Sequence, residues 1–133
     1  VREVTLEELF LRSDIVSLHV PLTHETKYMV DNQFISRFQK SIYLINTSRG
    51  QVVSTADLVK NLKTGKVKGS ALDVLEYEKF SFEDIDGKNL PEPFKYLISA
   101  ENVVLSPHIA GWTHESAYKM AMVIVEKIKA ICR

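Results

Sequence analysis

Three short stretches of this 133-residue chain hold side chains that together can grip an anion and move a proton. In "INTSRGQVV" (45–53), Arg49 follows an apolar run and is locked beside Gly50. A surface charge needs no such setting. At the mouth of a sheet, a guanidinium fork takes a carboxylate through two parallel hydrogen bonds. In "SPHIAGWT" (106–113), His108 follows a proline and shortly precedes a glycine, which defines its place. Histidine is the side chain best suited to exchange a proton near neutral pH. In "LDVLEYE" (72–78) stand Asp73, Glu76 and Glu78. A carboxylate that folds back to a histidine orients its ring and favours its charged form.

Each of these residues has a plainer reading beside the chemical one. Arg49 serves equally as a solvated turn residue, His108 as a structural histidine, Glu78 as a surface charge and Asp73 as a cap for the turn after it. Glu76 competes with Glu78, and in an extended loop it points outward as readily as inward. His19, inside a strand, and His24 and His114, in loops, read as structural or exposed. With no histidine or carboxylate pair at ligand spacing, no metal site is expected. Phe34, Phe38 and Tyr43 read as core.

The elements that must position these residues follow from hydrophobic pattern. "DIVSLHV" (14–20), "SIYLINT" (41–47), "GSALDV" (69–74) and "NVVLSP" (102–107) are β-branched or continuously apolar, the pattern of parallel strands covered on both faces. Helices alternate with them. "TLEELFLRS" opens on Thr5 with Glu8 at capping-box spacing. "VDNQFISRFQ" has Asp31 as cap and Phe34, Ile35 and Phe38 on one face. "STADLVKNLKTGK" runs from a Ser54/Thr55 start to a Gly65 stop, with Leu58, Val59 and Leu62 as its stripe. A last helix from about Thr113 to Ile131 carries Ala117, Met120, Ala121, Ile124, Val125 and Ile128 on an apolar face. The acidic segment 79–96 reads as a loop-like surface excursion.

This alternation specifies an α/β fold, a Rossmann-like doubly wound parallel sheet with right-handed crossovers and strands in sequential order. Ligands of such sheets collect at the carboxyl ends of the strands. Pro21 and Thr23 follow the first strand, Asn46 to Gly50 close the second, Asp73 ends the third, and Ser106 to His108 end the fourth. Four strand ends delivering polar groups to one rim is hard to explain by packing alone.

Composition narrows the function. Lys plus Arg number 17 and Asp plus Glu 17, so nothing marks a nucleic-acid surface or a polybasic membrane patch. No apolar run nears the roughly 20 residues that span a bilayer. One cysteine, Cys132, leaves no internal disulfide framework and fits a cytoplasmic setting. The chain opens without methionine, which reads as a piece of a longer one.

In order, "SDIVSLHVPLTHETKYMV", "INTSRGQVV", "GSALDVLEYE" and "NVVLSPHIAGWT" resemble the D-isomer-specific 2-hydroxyacid dehydrogenase family, over nearly the whole chain. The resemblance is to the C-terminal half of that family's nucleotide-binding domain, and within the family to D-3-phosphoglycerate dehydrogenases. It implies that residues 1–133 are a partial NAD(P)-binding domain, with the glycine-rich loop half and the substrate domain absent. It implies an enzyme that interconverts a D-2-hydroxy acid and a 2-keto acid by hydride transfer. Arg49 would hold the substrate carboxylate, His108 would give or take the proton, and Glu78 would partner His108. Asp73 would lie near the nicotinamide carboxamide. Val20, Pro21, Leu22, Thr47, Ser48, Arg49, His108, Ala110 and Gly111 would line the dinucleotide. The cofactor implied is NAD, with NADP left open because the ribose-binding residue would lie upstream. The partners implied are a small 2-hydroxy or 2-keto acid and, in the intact enzyme, a second subunit of a homodimer. The family commonly has proline after the glutamate, where this chain has Lys79. The alternative is a dinucleotide-sensing, corepressor-like binding module on the same fold.

Overall fold

The computed structural model describes residues 2–77 and 90–132. Its elements alternate as the pattern requires: α1 (Leu6–Arg12), β1 (Ile15–Leu18), α2 (Asn32–Ser36), β2 (Ile42–Asn46), α3 (Thr55–Thr64), β3 (Val67–Leu72), α4 (Glu92–Ser99), β4 (Val103–Leu105) and α5 (His114–Ile131). A single 3-10 turn, Gly50–Val52, precedes α3. The helix starts sit where capping chemistry puts them. Thr5, Asp31, Ser54 and Thr113 each accept a backbone N–H of the first turn through their side-chain oxygen. Gly65 ends α3 at φ 76, a left-handed backbone that glycine adopts without steric cost.

The four strands form one parallel sheet in the order β1-β2-β3-β4. Each crossover therefore steps the same way, and right-handed connections place α2 to α4 on one face, where α1 joins them through Phe10. Their apolar residues share a core with that face of the sheet. Phe10, Ile35, Leu58, Leu62, Phe94 and Leu97 join Val16, Leu18, Ile42, Leu44, Val67 and Leu72. Phe10, Phe34 and Phe38 meet edge to face, with centroids 4.8–5.7 Å apart.

Three departures from the sequence pattern have physical causes. The opposite sheet face carries Ile15, Tyr43 and Val104, all exposed, so the strands are not covered on both faces among the described residues. Tyr43 consequently lies over Gly69 on this open face and is not core. Secondly, residues 92–96 of the expected excursion belong to helix α4, which runs on to Ser99. Pro93 falls in the first turn, where a missing N–H costs nothing, and Phe94 and Leu97 share a buried stripe. Thirdly, His19 lies one residue past β1 with its ring on the Ser17 hydroxyl at 2.8 Å, and His114 opens α5.

Candidate functional site

Because the strands are parallel, every carboxyl end faces the same rim, and the polar groups picked out by type arrive there together. Val20 to Thr23 follow β1, Thr47 to Gly50 follow β2, Asp73 follows β3 and Ser106 to Gly111 follow β4. Glu78 lies outside the described residues.

The turn that carries Arg49 is built on a buried amide. Asn46, only 1 % exposed, points into the packed face at the end of β2. Its Oδ1 accepts from the Ser48 N–H at 3.0 Å and the Ser48 hydroxyl at 2.8 Å, and its Nδ2 donates to the Arg49 carbonyl at 3.0 Å. Ser48 therefore turns inward, and Arg49 is left on the surface with Nη1 donating to the Ser48 carbonyl at 2.6 Å. Asn46 thus builds the Arg49 turn, and a signal for it exists in the sequence. In the alternation Ile42, Leu44, Asn46 it falls on the buried face, where an amide must be fully hydrogen-bonded.

Gly50 is required by close approach. A Cβ there would lie 1.9 Å from the Leu75 carbonyl oxygen and 2.6 Å from the Glu76 nitrogen. The segment after β3 thus rests directly on the Arg49 turn. Glu76 points inward across this contact: its Oε2 accepts the Thr55 N–H at the start of α3 at 2.9 Å. Desolvation, then the hydrogen bond to Glu76 and the charge of Glu76, push the Tyr28 phenol above its usual value. Tyr77 in turn meets the Thr55 side chain, although desolvation and Glu76 still hold its phenol up.

The His108 turn is built on Asp73. The two chain segments leave neighbouring strands, and the His108 N–H donates to the Asp73 carbonyl at 2.9 Å. The Asp73 carboxylate is 4 % exposed. It accepts the Ser106 hydroxyl at 2.6 Å, the Ile109 N–H at 2.9 Å and the Ala110 N–H at 3.0 Å. Desolvation works against its charge, but these three donors and the nearby His108 outweigh it and hold the carboxyl below its usual 3.8. His108 itself takes φ 56, and only it and Tyr28 are non-glycine residues in that region among the described residues. A bulky side chain there is strained, on the order of 1–3 kcal/mol, and persists only where the surroundings over-determine it. Asp73 supplies that constraint: its carboxylate holds the turn after β4 and so places the histidine, and its bonds among the described residues go there and not to the turn after Asp73 itself. His108 is exposed at the rim.

The site thus presents one exposed guanidinium and one exposed imidazole, each on a turn held by a buried polar residue of the preceding strand end. A profile of the D-isomer specific 2-hydroxyacid dehydrogenase NAD binding domain matches residues 1–110. The chain belongs to this family. It is 41% identical over 133 residues to a glyoxylate reductase of Korarchaeum cryptofilum, covering 100% of this chain and 37% of that protein. It is 34% identical over 127 residues to a D-lactate dehydrogenase of Lactiplantibacillus plantarum, covering 94% of this chain and 38% of the relative. Among solved structures it resembles the NAD-complexed D-isomer specific 2-hydroxyacid dehydrogenase of Lactobacillus delbrueckii ssp. bulgaricus. There the TM-score is 0.79 at 34% identity, over 97% of this chain and 40% of that one. The chain therefore spans little more than a third of the length of the curated relatives it matches.

Proposed function

We propose that this chain is the C-terminal half of the NAD-binding domain of an oxidoreductase that interconverts a D-2-hydroxy acid and a 2-keto acid. The single observation that carries the reading is the pair of braced turns at one sheet rim, which present Arg49 after β2 and His108 after β4, with β3 and its Asp73 between them. Arg49 binds the substrate carboxylate through its fork, which fixes where the adjacent carbonyl lies. His108, charged before reduction, gives its proton to the carbonyl oxygen; in oxidation it takes the hydroxyl proton. Glu78 is assigned to the carboxylate that orients His108, on its place after Asp73.

The rim suits a nicotinamide cofactor on one structural count. Asp73 Oδ1 already accepts two donors and Oδ2 one, which leaves a single lone-pair site for an amide N–H. The residues that would hold the dinucleotide are Val20, Pro21, Leu22, Thr47, Ser48, Arg49, Asp73, His108, Ala110 and Gly111, mostly through backbone. When bound, NAD supplies the hydride; the protein supplies proton, anion clamp and orientation.

The relatives named above are a glyoxylate reductase and a D-lactate dehydrogenase, which supports a small unphosphorylated keto acid such as glyoxylate or pyruvate over a phosphorylated one. A direct trial replaces the matching segment of the Korarchaeum glyoxylate reductase with these 133 residues and follows NADH oxidation. Turnover with glyoxylate or pyruvate is expected. A folded chimera that binds NADH and turns over no 2-keto acid would contradict the proposal and favour a dinucleotide-binding module.

A further inference from the structure

We infer that Glu76 is a positioning residue for Arg49: its carboxylate latches the start of α3 to the segment that rests on the Arg49 turn. The inference depends on the proposed role of Arg49 in binding the substrate carboxylate.

Residues 50–55 are gripped from two sides. On one side, Tyr28 N–H donates to the Gln51 carbonyl at 2.8 Å, Val30 N–H to the Val52 carbonyl at 3.0 Å, and Ser54 N–H to the Val30 carbonyl at 3.0 Å. On the other, the Leu75 carbonyl lies where a Cβ of residue 50 would be. Glu76, in the segment that rests on residue 50, also holds the far end of this stretch through the Thr55 N–H. An ordinary helix cap does not account for it. α3 already has its cap in Ser54, whose hydroxyl accepts the Asp57 N–H at 3.4 Å, and Glu76 reaches Thr55 from 21 residues away. Tyr28, whose N–H grips Gln51, holds φ 54, a conformation a tyrosine keeps only under constraint. Without the latch, the 50–55 segment keeps its backbone pairing to Val30 but is free to shift on Leu75. That shift moves Arg49, which begins the same turn, and not His108, whose turn hangs on Asp73. The expected signature is weakened substrate binding with the proton step intact.

Two measurements test this. In the 133-residue chain, Glu76→Ala should speed hydrogen exchange of the Thr55 amide by about tenfold and leave β4 unchanged, while Glu76→Gln, which keeps an oxygen acceptor, stays near wild type. In the full-length enzyme, Glu76→Ala should raise KM for the 2-keto acid about fivefold or more with kcat within about twofold, and Glu76→Gln should restore KM. A normal KM in Glu76→Ala, a kcat that falls as far as KM rises, or failure of Gln to rescue overturns the latch. If Glu76→Ala does not fold, Glu76→Met decides: it keeps the side-chain bulk and removes the acceptor, and an unchanged KM overturns the inference. Arg49→Ala, measured in parallel, separates the two claims. A normal KM there overturns the keto-acid reading itself, and the latch with it. A raised KM there beside a normal one in Glu76→Ala overturns the latch alone.

Discussion

The Asp73 carboxylate is committed to the chain itself, to a hydroxyl and two N–H groups of the turn that carries His108. This makes stability depend on its charge. Its folded pKa lies below the usual 3.8, so the stabilisation is fully present above that value and is lost as pH falls through the lower, folded one. Asp73→Asn keeps one acceptor oxygen but turns an NH2 toward a backbone N–H. Hydrogen bonds to a charged group are worth about 1.5–3 kcal/mol, so the variant should lose roughly 2 kcal/mol at pH 7. Urea unfolding at several pH values checks this. The stability gap between the wild-type chain and the Asp73→Asn variant should narrow below about pH 4; a gap that is constant with pH would remove the charge from the explanation.

At the scale of elements, glycines separate packing from conformation. Gly50→Ala drives a Cβ into the Leu75 carbonyl at 1.9 Å, so it should destabilise the chain by about 3 kcal/mol or more, because backbone and not a flexible side chain must move. Gly65→Ala meets open space and suffers only the left-handed backbone, about 1 kcal/mol. Gly111→Ala has neither penalty and should leave the thermal midpoint unchanged. Equal shifts in all three would contradict the close contact. The same elements show what the residues disclosed in advance. Strand order, direction and the caps at Thr5, Asp31 and Ser54 were legible, because period and capping chemistry are local. Arg49 and His108 were legible as rim residues for the same reason. The inward turn of Glu76 and the work of Asp73 depend on contacts between segments far apart in the chain, which no local pattern carries, whereas Asn46 stood in the buried-face alternation of β2. Helix α4 was obscured by an acidic, proline-bearing context in which its two buried residues, Phe94 and Leu97, stood out little.

For the molecule as a whole, the asymmetry of the sheet dominates. All crossovers run one way, so one face is wound with helices, while Ile15, Tyr43 and Val104 stay exposed on the other. No residue of α5 is buried, although Met120, Ile124 and Ile128 share a stripe. Contiguous apolar surface of this kind takes up hydrophobic dyes. The 133-residue chain should therefore bind a naphthalenesulfonate dye with native secondary structure, and Ile15→Thr with Val104→Thr should weaken that binding without loss of fold. Undiminished dye binding would place the exposed surface elsewhere. The two braced turns stand at the carboxyl rim on either side of β3, one to grip an anion and one to move a proton. This division of labour is tested most directly by the steady-state kinetics of two variants in the full-length enzyme. His108→Ala should lower kcat for keto-acid reduction by about 10²–10⁴-fold, and Arg49→Ala should raise KM as well as lower kcat/KM. A His108→Ala enzyme with unimpaired kcat would contradict the account.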